Sequence, residues 1–134
     1  SMGNYIAQQV YELMEKKDIN LDQAKVLVMG LTFKENCPDM RSSKVIDVIR
    51  ELQQLGIKVD AHDPYADPEK ASKQLGLEVL IEPIVADYSG IFLAVGHDYY
   101  RDMGSLGIRA LSSSDAFFFD LKSVFTKQES DERL

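Results

Sequence analysis

The sequence has only one cysteine, Cys37, among its 134 residues. A single thiol excludes an intramolecular disulfide, so we expect a reducing, cytoplasmic compartment. Long hydrophobic runs are missing too, and no stretch approaches the roughly 20 apolar residues of a membrane-spanning helix. We therefore expect no membrane partner. Internal repeats and low-complexity tracts are also absent from the sequence.

Basic residues are also fewer than acidic residues. The chain has 15 lysines and arginines against 22 aspartates and glutamates, which gives a formal net charge of -7. Nucleic-acid binding needs clustered cations that neutralise phosphates, so this balance argues against a nucleic-acid partner. The share of hydrophobic residues, 45%, is ordinary for a globular protein. Together with the length, it predicts one domain with its own core.

Residues 25–43 organise the rest of the chain. The run Val26–Met29 is short, apolar and rich in valine, and Gly30 closes it, so this pattern predicts a strand buried on both faces. The following residues include Pro38 and several turn formers, which favour a loop. The pair Ser42–Ser43 then precedes an apolar stripe at helical spacing, where a serine can cap a helix. In open α/β sheets, ligands bind at such strand ends.

Three cations lie close together in this predicted loop: Lys34, Arg41 and Lys44. They stand beside the predicted N-terminus of a helix, which favours anions. Glu35 and Asp39 offset part of this charge, so the loop is not a bulk basic patch. Two interpretations stay open: a few placed cations that bind phosphate, or ordinary solvated loop charges.

Residues 30–43, Gly-Leu-Thr-Phe-Lys-Glu-Asn-Cys-Pro-Asp-Met-Arg-Ser-Ser, resemble the signature that opens the C-terminal domain of the nucleotide-sugar 6-dehydrogenases. That family includes the UDP-glucose, GDP-mannose and UDP-N-acetylhexosamine dehydrogenases. Its pattern is Gly-x-x-Phe/Tyr-Lys followed by Asp-x-Arg-x-Ser, and this sequence fills every position. The resemblance implies that nearly the whole chain corresponds to the C-terminal third of a longer enzyme.

By this resemblance, the longer enzyme would use NAD to oxidise the C6 alcohol of a UDP-sugar to a carboxylate. NAD would be bound mainly by an N-terminal domain with a G-x-G-x-x-G loop, which this sequence lacks. The family's cysteine nucleophile lies in an earlier segment, so Cys37 is interpreted as a packed or loop thiol and this chain would hold no catalytic residue. Phe33 and Lys34 would contact the UDP-sugar, and Arg41 would reach NAD. Lys122 stands near the place of a substrate-binding residue that is usually Arg.

The resemblance also implies a substrate and a domain boundary. The wording Phe-Lys-Glu-Asn-Cys-Pro-Asp is most similar to enzymes that act on UDP-N-acetylhexosamines for surface polysaccharides such as capsules. Residues 1–20 would be the end of a central helix that links the two halves of the enzyme and forms a homodimer contact. Residues 21–134 would be the nucleotide-sugar-binding domain. Taken alone, the amphipathic pattern over residues 3–17 instead predicts an ordinary N-terminal helix packed on its own domain.

The alternation of strand and helix patterns predicts the architecture. Further strands are expected at Ile57–Ala61, Ile91–Val95 and Ala116–Asp120. This order favours a Rossmann-like three-layer sandwich around a parallel sheet of about five strands, preceded by an N-terminal helix. The polar residues at the strand ends would then line one edge: Lys34, Asp63, His97 and Lys122. From Thr126 onward, the charged tail is expected to be mobile.

Other features allow more than one interpretation. His62 and His97 could join neighbouring aspartates in a metal site, but their spacing is not that of a ligand set, so we expect no metal and two solvent-exposed histidines. The dipeptide Asp63-Pro64 favours a turn rather than a ribose contact. A stand-alone α/β nucleotide-binding or regulatory module without activity also fits the pattern, as does a domain that only packs and dimerises. Bound uridine nucleotide would favour the dehydrogenase interpretation over both.

Overall fold

A computed structural model describes residues 2–32, 34–38, 44–86 and 88–133 of the chain. In chain order, the regular elements are α1 (Met2–Lys16), β1 (Lys25–Met29), α2 (Val45–Gln54), β2 (Lys58–His62), α3 (Pro68–Leu75), β3 (Glu78–Leu80), β4 (Tyr88–Leu93), α4 (Asp98–Arg109), β5 (Ser112–Asp120) and β6 (Glu132–Arg133). Two single-turn 3-10 helices lie at Leu21–Gln23 and Lys127–Glu129. The alternation of strands and helices follows the predicted order.

The strands form one sheet in the order β3-β2-β1-β4-β5-β6, and every neighbouring pair is parallel. This confirms the predicted Rossmann-like α/β fold. The sheet has one strand more than expected because β6, only two residues long, pairs with the end of β5. The central strands are β1 and β4, which pair with each other from Val26 and Gly90 to Met29 and Leu93.

Hydrophobic side chains cover both faces of the sheet and form two cores. On β1, Val26 and Val28 belong to the core under α1, α2 and α3, whereas Leu27 and Met29 belong to the core under α4. All four of these side chains are fully buried. Successive side chains of a strand point to opposite faces, so a valine-rich run without polar alternation is the pattern that a doubly covered strand needs.

Helix α1 packs on this domain. Its buried residues Ile6, Val10 and Met14 are members of the same core as those of α2. The approach to α2 is close, because a Cβ added at Gly3 would lie 2.8 Å from Cβ of Asp47. The interpretation of α1 as a helix packed on its own domain therefore describes this contact. Its further role as the end of a linking helix stays a prediction.

The helix starts show where local sequence acts. Asp67 caps α3 by accepting hydrogen bonds from the amides of Glu69 and Lys70, and Pro68 fills the first helical position. The predicted capping serines before α2 lie outside the described residues. The residue that directly precedes this helix, Lys44, provides no side-chain cap.

The prediction of a mobile tail from Thr126 is wrong. Thr126 and Glu129 form a reciprocal capping box around the second 3-10 helix. Beyond it, Asp131 accepts a 2.7 Å hydrogen bond from the amide of Phe118 and lies within 3.5 Å of Arg109. These long-range contacts hold the tail against the sheet edge, although its charged sequence is typical of a solvated end.

Candidate functional site: the cleft at the carboxyl ends of β1 and β4

After the two central strands, the chain continues to opposite faces of the sheet. After β1 the chain continues to α2, whose core lies on one face of the sheet, and after β4 it continues to α4, whose core lies on the other. Adjacent parallel strands with divergent connections leave a crevice between their loops, and open α/β sheets bind ligands in that crevice. The fold therefore places the candidate site at the carboxyl ends of β1 and β4.

A cleft of about 320 Å³ lies at this position. Its lining comes from the loops that follow β1, β4 and β5 and from the first turn of α4: Lys34, Glu35, Val95, Gly96, Arg101 and Lys122. Three of these side chains are cationic and one is a carboxylate. On a chain with a net charge of -7, this is a local excess of positive charge. Larger hollows beside the tail and beside β3 include no residue from these strand ends.

Lys34 and Lys122 lie at the same cleft although they are far apart in the sequence. Both side chains are exposed, and among the described residues neither forms an ion pair with a carboxylate. The turn that carries Lys122 is fixed by buried Asp120, whose carboxylate accepts hydrogen bonds from the amides of Val124 and Phe125 at 2.9 and 2.8 Å. The cleft thus presents two ammonium groups that can interact with an anion.

Beneath the cleft, a buried carboxylate holds the chain that leaves β1. Asp63 Oδ2 accepts hydrogen bonds from the amides of Leu31 and Thr32 at 2.7 and 3.0 Å. The same oxygen lies 2.9 Å from His97 Nε2, and the side chains of both residues are fully buried. Asp63 Oδ1 accepts the amide of Tyr65 at 2.8 Å. The predicted turn role of Asp63 is therefore present, but it engages only one of the two oxygens.

His97 continues this network to the loop that carries Lys34. Its Nδ1 atom accepts a 2.8 Å hydrogen bond from the amide of Asn36. Because Nδ1 accepts, the proton of the neutral ring is on Nε2, which donates to Asp63. Thr32 Oγ1 donates to the carbonyl of Lys34 at 3.3 Å and lies 3.0 Å from Nε2. The backbone on both sides of Lys34 is thus tied to one buried histidine–aspartate pair.

Burial and hydrogen bonding act in opposite directions on the pKa of Asp63. Burial disfavours its charged form, but hydrogen bonds from His97 and from the amides of Leu31 and Tyr65 outweigh burial, so its pKa lies below the ordinary value. The carboxylate is therefore ionised at neutral pH. This satisfies four N–H donors, three of them in the interior, where they would be costly to leave unpaired.

The second histidine, His62, is buried on the neighbouring strand. Tyr100 Oη donates to the carbonyl of His62 at 2.8 Å, so the hydroxyl hydrogen is used and His62 Nδ1 must donate to the hydroxyl oxygen, also at 2.8 Å. Burial lowers the pKa of His62 to about 4, against a smaller opposite effect of Asp63. Burial also raises the pKa of Tyr100 well above its usual value. Both groups are neutral at physiological pH.

The structure thus corrects the expectation of two exposed histidines: His62 and His97 are 1% and 0% exposed. His97 uses both ring nitrogens and His62 uses Nδ1 on protein partners, and no group of His, Cys, Asp or Glu among the described residues is arranged to hold a metal. Cys37 is a half-buried free thiol in the loop. Phe33 and Arg41, predicted to contact substrate and NAD, lie outside the described residues.

Sequence reasoning missed several members of the site. Arg101 lies in the first turns of α4, and its polar neighbours gave no periodic signal that it would face the cleft. Asn36, one of the turn formers of the predicted loop, accepts the amide of Asp98 on its side-chain oxygen at 3.0 Å and so joins the β1 loop to the start of α4. Asp63 was expected at this edge, but its hydrogen bond with the amide of Thr32 depends on the parallel pairing of β1 and β2, which local sequence does not reveal.

The part of the chain that the structure describes contains no helix both long enough and apolar enough to span a bilayer.

Fold and cleft together define a Rossmann-like α/β domain with an anion-compatible crevice at its topological switch point. The chain belongs to the UDP-glucose/GDP-mannose dehydrogenase family, because the model of that family's UDP binding domain matches residues 27–127. The matched segment includes the whole cleft lining.

Two curated relatives match almost the entire chain. A UDP-N-acetyl-D-glucosamine 6-dehydrogenase of Pseudomonas aeruginosa is 43% identical over 99% of this chain and 32% of its own length. An enzyme of the same name from Salmonella typhi is 41% identical over 100% of this chain and 32% of its own. The chain thus spans about a third of the length of these relatives.

Solved structures share the fold at lower identity. A UDP-glucose dehydrogenase from Pyrobaculum islandicum has a TM-score of 0.71 and 26% identity over 96% of this chain and 29% of that one. Cap5O, a UDP-N-acetyl-mannosamine dehydrogenase of Staphylococcus aureus, has a TM-score of 0.73 and 22% identity over 99% of this chain and 30% of its own. The second likeness concerns the fold alone.

Proposed function

We propose that this chain binds the UDP part of a nucleotide sugar in the cleft between the loops of β1, β4 and β5, as one domain of an NAD-dependent UDP-sugar 6-dehydrogenase. The observation that carries the proposal is the meeting of Lys34 and Lys122 at one cleft. The first comes from the family signature, and the second follows the last long strand. A diphosphate between them would gain two charge-assisted contacts at a site that is otherwise rich in cations.

The assigned roles follow from the chemistry of each side chain. Lys34 acts as a compact positive charge on a loop whose backbone is fixed, so its ammonium group can be directed at a phosphate. Lys122 supplies a second positive charge, without the planar fork that an arginine would offer. Phe33 contacts the sugar nucleotide beside Lys34, and Arg41 reaches toward NAD. These last two roles rest on the family signature alone.

This chain does not fit a complete NAD site by itself. In dinucleotide-binding folds, the amides after the first strand are available to the pyrophosphate. Here the amides of Leu31 and Thr32 are already bound to the Asp63 carboxylate. A Cβ at Gly30, which has φ +103°, would lie 2.7 Å from Cβ of Val95, so the first glycine serves strand packing. NAD binding and the catalytic groups therefore belong mainly to another part of the enzyme.

For the complete enzyme, we propose oxidation of the C6 alcohol of a UDP-N-acetylhexosamine to the carboxylate, in surface polysaccharide synthesis in the cytoplasm. Support comes from the loop wording and from two relatives with more than 40% identity that are named for UDP-N-acetyl-D-glucosamine. Residues 1–20 would link this domain to the rest of a homodimeric enzyme. A substrate series on the complete enzyme tests the sugar: higher kcat/KM for UDP-glucose than for both N-acetylhexosamine substrates would contradict this choice.

The test of the binding proposal is a titration of the 134-residue chain with UDP, followed by amide NMR. We expect weak binding with shifts at residues 34–36 and 120–123, because the walls of the cleft from the rest of the enzyme are not in this chain. Lys34→Ala should weaken binding about tenfold. Lys73→Ala, at an exposed lysine on α3, is the matched control and should bind like the unmodified chain. Shifts confined to residues 63–67 would contradict the placement.

A second measurement tests the division of labour. The isolated chain should reduce no NAD with any UDP-sugar, because hydride transfer requires the cofactor site and the nucleophile that this sequence lacks. Measurable turnover by the purified chain would refute this part of the proposal, whereas restored turnover is expected only when the complete enzyme is assayed.

A further inference from the structure

We propose that Arg101 is a third cation for the diphosphate of the bound nucleotide, and that Glu35 is the internal counter-ion which the diphosphate displaces. The inference rests on the proposed function of the cleft and extends it to two residues that the family signature does not assign. It identifies the ligand group as a diphosphate, because the three cations at this cleft supply more positive charge than a single carboxylate can neutralise.

The guanidinium of Arg101 is held in place at one edge. Its Nε donates to the carbonyl of Gly96 at 3.2 Å, and Nη2 donates to Glu35 Oε2 at 3.3 Å. Within the described residues, Nη1 makes no hydrogen bond. The backbone contact at Nε orients the planar group, so one nitrogen remains available to an incoming ligand while Nη2 can exchange its partner.

The ion pair of Arg101 and Glu35 fits into the cleft because Gly96, which forms its floor, has no side chain. A Cβ added at Gly96 would lie 3.0 Å from Arg101 Nη2 and 3.3 Å from Glu35 Oε2. Both charged groups thus lie directly over a residue without a side chain. The same small floor leaves room for a ligand oxygen to approach Arg101 at the point where Glu35 now binds.

Exchange of Glu35 for a diphosphate is energetically favourable at this position. The side chains of Arg101 and Glu35 are 45% and 59% exposed, so the pair is solvated and loses little when it opens. A diphosphate carries more negative charge than one carboxylate and can accept two parallel bonds from a guanidinium. Glu35 therefore offsets part of the mutual repulsion among the three cations, and it lowers affinity for weakly charged anions more than for a diphosphate.

The test is a titration of the 134-residue chain with UDP and, separately, with inorganic pyrophosphate. Arg101→Gln should raise the Kd for both ligands about tenfold and reduce the salt dependence of binding. Arg101→Lys, which keeps the charge but not the fork, should recover part of this loss. Glu35→Gln should lower the Kd about threefold, and its effect should shrink when combined with Arg101→Gln.

Glu69 and Lys73, two exposed residues on α3, form a similar surface ion pair, with 3.6 Å between Glu69 Oε1 and Lys73 Nζ. This pair does not line the cleft. Glu69→Gln and Lys73→Gln are therefore matched controls and should leave both Kd values unchanged. Thermal melting verifies that each variant is folded, since loss of a solvated pair changes stability little.

The outcomes separate this inference from the proposed function. If Lys34→Ala weakens UDP binding but Arg101→Gln and Glu35→Gln do not change it, the cleft binds UDP and the roles of Arg101 and Glu35 are refuted. If Arg101→Gln weakens UDP but not pyrophosphate, Arg101 contacts the nucleoside and the diphosphate assignment is overturned. If UDP and pyrophosphate produce no shift at the cleft of the unmodified chain, both proposals fail.

Discussion

Substitution of Asp63 by asparagine tests the buried network most directly. Asparagine has the shape of aspartate, so packing is preserved while the charge and one acceptor are removed. The native carboxylate receives the amides of Leu31, Thr32 and Tyr65 together with His97 Nε2. In asparagine, only the side-chain oxygen can accept hydrogen bonds. The side-chain nitrogen is itself a donor, so it would stand opposite an N–H group that needs an acceptor.

The size of the effect follows from these contacts. Each hydrogen bond to a charged group contributes about 1.5–3 kcal/mol, and a buried donor left without an acceptor costs about 1–3 kcal/mol. Asparagine can retain the two amides after β1 but loses at least one other bond and the charge. We therefore expect the free energy of unfolding to fall by about 3 kcal/mol, which corresponds to a decrease in Tm of roughly 10 °C for a domain of this size.

The direction of the Asp63 pKa shift determines how the stability difference between wild type and Asp63→Asn changes with pH. The pKa of Asp63 is lowered in the folded state, so its contribution is present above the unfolded pKa of about 3.9 and is lost as pH falls through the folded pKa. The stability gap between wild type and Asp63→Asn should therefore be largest near neutral pH and should narrow below about pH 3.9. Urea unfolding at several pH values measures it. A gap under about 1 kcal/mol at neutral pH, or one independent of pH, would refute the reasoning.

Three further predictions concern other parts of the chain. His62 has a folded pKa of about 4 against 6.5 in a model peptide, so the unfolded state binds more protons between these values. Stability should fall as pH drops through this window, and His62→Gln should abolish that slope in urea unfolding. Gly90→Ala should cost about 2 kcal/mol or more, because a Cβ would lie 2.0 Å from the Phe117 ring; Gly107→Ala, whose Cβ would meet only Cβ of Met103 at 3.7 Å, is the control and should be neutral or slightly stabilising in thermal melts. Asp120→Asn should release the turn that presents Lys122 and weaken UDP binding in the NMR titration, while equal affinities would show that this turn needs no anchor.

Four strands of the parallel sheet, β1, β2, β4 and β5, could be predicted because burial on both faces leaves a simple pattern. Val26 to Met29 contains no polar residue, and the structure divides these side chains between two cores. The start of helix α3 also depends on local sequence alone, since Asp67 and Pro68 fix it within three residues. Such signals depend on neighbours in sequence, so they survive without knowledge of the tertiary fold.

The tail and the histidines could not be predicted for the opposite reason. Asp131 is held by Phe118 and Arg109, which belong to other elements, and a charged tail without these partners would be solvated. His97 is buried because Asp63 and Asn36 satisfy both of its nitrogens. Polar residues after a strand are exposed by default, and only long-range partners reverse that expectation.

The loop that contains Lys34 and Cys37 shows which residues the sequence could predict and which it could not. The resemblance predicts that Lys34 contacts the UDP-sugar, and the structure places this lysine at the cleft. The resemblance did not identify Thr32 and Asn36, whose contacts with the lysine carbonyl and with His97 fix the backbone from which Lys34 extends. The predicted binding residue and the residues that fix its backbone thus lie in the same short segment, but only the former belongs to a recognisable pattern.

In the proposed function, the Asp63 network gives a reason for the use of side-chain cations to bind the diphosphate. In dinucleotide-binding folds the amides after the first strand bind phosphate directly. Here Asp63 occupies the amides of Leu31 and Thr32 and places a buried negative charge below the cleft. A phosphate at this strand end therefore gains nothing from those amides and is repelled by the carboxylate. In the proposed function, cations from two loops and from the first turn of α4 offset that charge: Lys34, Lys122 and Arg101.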